Sequence, residues 1–338
     1  MDFLGQRMPY VTTFSKALGT GMVISADSPI DDKVRSAMES LIEDYEHVLS
    51  RFRNDSLIAA IGKAEHGGSF DFPDWCAPLF DLYDALFSAT SGAIDPCVGE
   101  DLIRLGYDAS LSFTVTQDAP EHLGALRGRA VWGRDATRHG TTLVTHEPVQ
   151  LDFGACGKGY LVDLLGRMLR STQFVIDAGG DLLIHAEQPI SVALEDPEDS
   201  SRAIGVAHIV NGALCASAPS RRHWNVAVNE RTQIAIHHLL NAINGLPAQQ
   251  TEASWAYVPA NATPDIARDY PAAVADGLAT ALFVSDATQL QRTFDFAYAT
   301  LNESRQIAAS RNFPAELFLR SALQPNNSRN KQRPHAFG

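Results

Sequence analysis

Five short segments of the chain carry residue types that could do chemistry. In ADGLATA (275–281), Asp276 and Thr280 are four residues apart, so on a helix they share one face. Together they offer oxygen ligands to a hard cation such as magnesium. The same pair also serves helices as an N-terminal carboxylate and a back-bonded threonine. DFGACGKGY (152–160) follows a strand-like stretch and opens a helical one. Its small residues allow backbone amides to approach an anion at a helix N-terminus. It is neither a Walker A loop nor GxGxxG, and a tight strand-to-helix turn is an equal alternative. DAGGD (177–181) sets two glycines between two acids. Taken alone it reads as a hairpin turn, with a position beside a cleft as the alternative. IHHLL (236–240) holds a histidine pair in a β-rich run, where alternation sends His237 and His238 to opposite faces. One of them could then lie beside a ligand, although such histidines are more often structural. TSGAIDP (90–96) places Asp95 in a turn whose first role is to end a helix.

These segments need elements to position them. Phe14 to Ser25 reads as an opening strand. Val34, Met38, Leu41, Ile42, Tyr45 and Leu49 recur at helical spacing over 31–50, and a turn and short helix follow over 50–62. Leu79, Phe80, Tyr83, Leu86 and Phe87 predict a second helix over 76–90. A strand over Val149–Phe153 should lead into the glycine loop and a helix over 158–170. A β-turn-β unit is expected over 173–186, with short strands over 190–195, 204–210, 213–217, 224–229 and 233–239. A helix is expected over 274–285, then a helix and terminal hairpin over 286–324. Helices cluster early and short strands dominate the middle. That distribution predicts an α+β fold with mixed or antiparallel sheets and packed helices, in one domain over 1–324. The polar residues 325–338 read as a disordered tail.

Composition excludes several classes. With 40 acidic and 27 basic residues the net charge is −13, and no basic cluster in the expected fold offers a nucleic acid surface. Cys76, Cys97, Cys156 and Cys215 form no CxxC pair, which argues against a disulfide framework or structural zinc. The first residues show no basic segment followed by an apolar one, and no cleavage or lipid-attachment site. The expected location is cytoplasmic. Monomer and homodimer both stay open.

The order and separation of these segments, across about residues 14–320, resemble the ApbE-like family of flavin transferases. That family has an MGT-like strand, here LGT (18–20), and an S-aromatic-x-x-x-S segment, here SRFRNDS (50–56). TSGAIDP, DFGACGKGY and AGGD (178–181) stand where it has T-x-G-x-x-D-P, D-x-G-x-x-x-K-G-Y and A-G-G-D. ASAPSRR (216–222), HLLNAINGLP (238–247) and ADGLAT (275–280) stand for its T-S-G-x-Y-x-R, H-I-I-D-P-x-T-G-x-P and A-D-x-x-x-T elements. The resemblance implies a T-fold-like domain. It implies magnesium on the Ala155 carbonyl, Asp276 and Thr280, and FAD held by Leu18, Phe52, Ala93, Ile94, Asp95, Asp152 and Lys158. His238 matches the family histidine; it or Asp181 would take a proton. The implied reaction moves FMN from FAD to a Thr or Ser of an acceptor flavoprotein and releases AMP. The chain departs from the pattern at Ala216, Ala218, Ser220, Asn241, Ala242 and Asn244. These departures keep two alternatives in view: an FAD pyrophosphatase, and a flavin-binding protein without catalysis.

Overall fold

The computed structural model describes residues 4–229 and 232–318. The expected boundary at 324 and tail at 325–338 lie outside them. The fold is α+β, built on a nine-stranded antiparallel sheet. Its strands are β1 (Tyr10–Ala17), β2 (Thr20–Ala26), β3 (Phe174–Asp177), β4 (Asp181–Asp196), β5 (Asp199–Ser217), β6 (Thr251–Pro259), β7 (Ala297–Asn302), β8 (Ile307–Ala309) and β9 (Ala315–Leu317). From β1 to β8 the spatial order follows the chain order, and β9 pairs with β5. Long excursions between strands supply the principal helices: α1 (Asp32–Leu49), α2 (Ala77–Ala89), α3 (Gly157–Gly166) and α4 (Pro271–Ala281).

Alternation divides the sheet into two buried faces. Ile24, Ile176, Ala213, Cys215, Ala256 and Val258 pack under the helices. They meet Met38 and Ile42 of α1, Leu79 and Leu86 of α2, Leu161 and Leu165 of α3, and nearly all of α4. Val175, Leu182, Ile184, Leu214 and Trp255 face the other way. There the β4–β5 hairpin shifts register between His185 and Ile190, and its distal part adds Ile190, Leu194, Ile204 and Ile209 to a second core.

Several elements differ from expectation. The opening strand is a hairpin, β1–β2, because Leu18 and Gly19 turn with φ of 53° and 70°. Residues 149–153 are irregular, since Asp152 bonds back to the Pro96 carbonyl instead of a strand neighbour. The three short strands expected over 190–217 are the arms of one long hairpin, whose pairing runs through several register shifts. Beyond 286 the expected helix is short, Ala287–Leu290, and the expected hairpin is β7–β8, with the alternating burial of Ala297, Ala299 and Leu301 on its first strand. Strand β6 was not anticipated, and both its faces are buried, which erases the alternation that reveals a strand. A further small sheet, Gly68–Asp71, Ala136–His139 and Thr142–Thr145, was also not anticipated. Among the described residues no helix is long and apolar enough to cross a membrane.

Helices α3 and α4 touch backbone to backbone. A Cβ placed on Gly159 would stand 2.1 Å from the Ala272 carbonyl oxygen. Gly159→Ala is therefore expected to cost about 3 kcal/mol through overpacking. A urea midpoint equal to that of the unmodified protein would refute this contact.

Candidate functional site

The floor of the site is assembled from three segments. The glycine loop delivers Lys158 at the start of α3. The tight turn before β4 delivers Asp181, and α4 delivers Asp276. Lys158 Nζ bonds Asp181 Oδ2 and lies 3.1 Å from Asp276 Oδ1. Both acids are almost fully buried, while the lysine keeps 34% exposure. The turn works because Gly179 and Gly180 take φ of 70° and 107°, and a Cβ at Gly179 would meet the Thr20 hydroxyl. The loop is held from below by Tyr45, whose hydroxyl donates to the Gly157 carbonyl at 2.8 Å.

Two buried carboxylates facing one ammonium leave an excess of negative charge. Burial first, and then Asp181, raise the Asp276 carboxyl to about 7. Burial alone would lower the Lys158 ammonium, but Asp181 and Asp276 outweigh it and hold it raised. Asp181 Oδ1 is buried with no hydrogen-bond partner. Beside this cluster the Thr280 hydroxyl lies 3.4 Å from the Ala155 carbonyl oxygen and 3.5 Å from Ser217 Oγ. Among the described residues no group of three His, Cys, Asp or Glu side chains forms a metal cluster. The available donors are instead mixed carbonyl, hydroxyl and carboxylate oxygens. Such a set, with surplus negative charge and one orphaned carboxylate oxygen, fits a small hard cation.

Above the floor opens a cleft of about 840 Å³, a volume typical of small-molecule and cofactor sites. Leu18, Phe52, Ala93, Ile94, Asp95, Asp152, Ala155, Lys158, His238, Asp276 and Thr280 all border it. Asp181 sits just behind, through Lys158. The Leu18 amide donates to Glu46 Oε1 at 2.8 Å, which fixes the β1–β2 turn at the rim. His238 and His237 do separate. His237 is engaged with the Ala248 carbonyl and the Leu239 amide. His238 borders the cleft, with Nδ1 3.2 Å from the Arg222 carbonyl oxygen. A carbonyl only accepts, so Nδ1 carries the proton and Nε2 is the basic nitrogen. Burial pushes the His238 imidazole down to about 4.

Two of the acids are already committed within the protein. Asp152 accepts from Arg51 Nε at 2.5 Å and from the Gly154 amide at 2.7 Å. Asp95 accepts from the Cys97 amide and faces the fully buried Arg129, which also pairs with Asp101. Arg129 further donates to the Ala242 carbonyl at 2.7 Å, so it ties the 93–95 wall to the segment after His238. Sequence reasoning missed Arg51, Tyr107, Arg129 and Glu46. Arg51 stacks between Phe52 and Tyr107, 4.1 and 4.6 Å from their ring centres. Nothing in local spacing marks these residues, because apart from the Arg51–Phe52 contact the partners named here lie tens of residues away.

The model of the ApbE family matches residues 18–301. The chain belongs to the ApbE family. It is 28% identical over 279 residues to the FAD:protein FMN transferase of Treponema pallidum (strain Nichols), covering 75% of this chain and 72% of that protein. The fold is shared with the ApbE protein of Thermotoga maritima at a TM-score of 0.74 and 20% identity, covering 91% of this chain and 99% of that one. It is also shared with the flavin transferase ApbE of Vibrio cholerae at a TM-score of 0.71 and 17% identity, covering 90% and 97%.

Arg129 gives the wall of this ApbE-family cleft a measurable signature. Arg129→Met would leave Asp95 and Asp101 buried without their cation, at an expected cost of about 3–5 kcal/mol. In the unmodified protein, burial raises the Asp101 carboxyl to about 6 despite Arg129. The folded value lies above the unfolded value of about 3.9. The fold therefore binds the proton more tightly, and Asp101's contribution is full below about pH 4 and declines as pH rises through about 6. In Arg129→Met that decline should extend to higher pH. Urea titrations across this range check both statements.

Proposed function

We propose that the protein is a magnesium-dependent FAD:protein FMN transferase. The observation that carries this reading is the Lys158–Asp181–Asp276 cluster at the base of a ligand-sized cleft, with the Ala155 carbonyl and Thr280 hydroxyl beside it. The Treponema pallidum relative, by its name, is an enzyme of this kind. Ala155, Asp276 and Thr280 would hold the ion. Bound there, magnesium would supply positive charge against the pyrophosphate and the departing AMP.

The chain's own residues do the rest. Lys158 is pinned by two carboxylates and exposed on one side, so it offers a fixed cation to a phosphate without losing further side-chain freedom. The aromatic wall of Phe52 and Tyr107, 5.4 Å apart edge to face, offers a surface to a flat ring system. Leu18, Ala93 and Ile94 complete the apolar lining. In the transfer step a Thr or Ser hydroxyl oxygen of the acceptor flavoprotein bonds to the FMN-side phosphorus. The P–O bond to AMP breaks, and the hydroxyl proton goes to His238 Nε2; Asp181, the other candidate base, is buried behind Lys158 and does not border the cleft. His238 is neutral above about pH 4, so it is free to accept without first losing a proton.

A second reading, FAD hydrolysis to FMN and AMP, follows if water replaces the hydroxyl. One feature bears on this choice. Asn241 keeps a turn intact by accepting the Ile243 amide at 3.0 Å, so the departure from the family pattern there does not unravel the segment after His238.

Purified protein incubated with FAD, magnesium and a candidate acceptor should yield a fluorescent acceptor band and AMP. Free FMN with no labelled acceptor would make hydrolysis the correct description, and intact FAD would remove both. Asp276→Ala is expected to lower kcat at least about 100-fold, the equivalent of roughly 3 kcal/mol of lost charge stabilisation. Retained turnover in that variant would eliminate Asp276 as a ligand. Because His238 is already neutral, the rate between pH 5 and 8 should show no imidazole inflection near its ordinary value of about 6.5. A limb there that fades with added magnesium is the Asp276 carboxyl, raised to about 7; one that persists at saturating magnesium would assign the proton to a different group.

A further inference from the structure

Helices α3 and α4 are joined by a series of polar contacts at four-residue intervals. The Ala155 carbonyl lies just before α3 and meets Thr280 Oγ1 at 3.4 Å. The Gly159 amide donates to Asp276 Oδ2 at 3.0 Å. Asp163 then accepts from the Ala272 and Ala273 amides at 3.1 and 2.8 Å. Arg167 donates to the Tyr270 hydroxyl and the Asp269 carbonyl. Positions 155, 159, 163 and 167 thus climb one side while 280, 276, 272 and 269 descend the other. Spacing of four keeps the first set, and 280, 276 and 272 of the second, on one helical face; Asp269 precedes α4, three residues before Ala272. The first two rungs contain the proposed magnesium ligands; the third does not.

We propose that Asp163 is a positioning residue that sets the register of α4 against α3, and so places Asp276 and Thr280 opposite the Ala155 carbonyl. This rests on the metal site proposed above. The start of α4 shows why the third rung matters. A helix leaves its first four amides without intrahelical partners. Pro271 has no N–H, and Val274 donates to the Tyr270 carbonyl. The residue preceding the helix provides no side-chain cap. The two remaining amides, Ala272 and Ala273, are satisfied by Asp163 alone, from the neighbouring helix. The helix is buried over almost its whole length, so water cannot substitute. Asp163 is itself 3% exposed, and burial raises its carboxyl to about 8 despite the two amides. Its two oxygens grip two consecutive amides and so fix both the axial position and the rotation of α4. Asp276 lies one turn further along, on the same face as Ala272.

Binding of Mn²⁺ alone, as a spectroscopic substitute for Mg²⁺, tests this without reference to turnover. Asp163→Asn keeps the volume and one acceptor, and is expected to weaken Mn²⁺ about 10-fold; Asp163→Ala should weaken it further, towards 100-fold, as for other residues that orient ligands. Leu165→Ala removes a fully buried side chain from the same helix without touching the ladder. It should lose comparable stability yet bind Mn²⁺ within about twofold of the unmodified protein, because affinity then depends on register and not on global stability. All are compared at a temperature where circular dichroism shows them folded. Equal Mn²⁺ affinity in the Asp163 variants and the unmodified protein would overturn the proposal, as would equal weakening in Leu165→Ala. An unmodified protein that binds no Mn²⁺ would instead remove the metal site itself, and this role with it.

Discussion

The site depends on how closely two helices can approach. Gly159 has no side chain, so α3 meets the Ala272 carbonyl of α4 at backbone contact. That closeness lets the Gly159 amide reach the Asp276 carboxylate, and lets Asp163 reach the first amides of α4. Lys158, one residue away, is then directed into the cleft between Asp276 and Asp181. A wider separation would break these bonds together, since hydrogen bonds weaken steeply beyond about 3.5 Å.

Electrostatics follow from that packing. The protein carries a net charge of −13, yet its cleft displays Lys158, Arg51 and Arg222. Two of these cations are fixed in different ways. Lys158 is braced by two acids, and Arg51 is locked by Asp152, the Tyr107 carbonyl and two aromatic rings. Fixed charges in a partly dry cleft act more strongly than mobile surface charges, because they need little reorganisation when a ligand arrives. Arg129 belongs to a different category. It is wholly buried and serves the wall, joining Asp95, Asp101 and the Ala242 carbonyl.

The sheet gives these parts a rigid base. Because its strands run in chain order, β3 and β4 are joined by the glycine turn that aims Asp181 inward. β5 brings Ser217 beside Thr280. The bent β4–β5 hairpin also closes a second core on the far face, so the sheet is buried on both sides. That double burial is why β6 escaped sequence reasoning while α1, with a polar face, did not.

The sequence by itself determined the α+β class, the principal helices, and the short motifs whose order along the chain resembles one family. Those properties are local: they follow from periodicity, glycine turns and residue type within a few positions. It also paired Asp276 with Thr280 by their spacing, and added the Ala155 carbonyl to them, and Lys158 to the FAD-binding set, through the resemblance. Tertiary structure decided what each side chain faces. It committed Asp152 to Arg51 and Asp95 to Arg129, separated His238 from His237, and revealed the rungs at 155, 159, 163 and 167. Such pairings join residues from 16 to 125 positions apart. Their energies depend on burial and distance, and neither exists until the chain has packed.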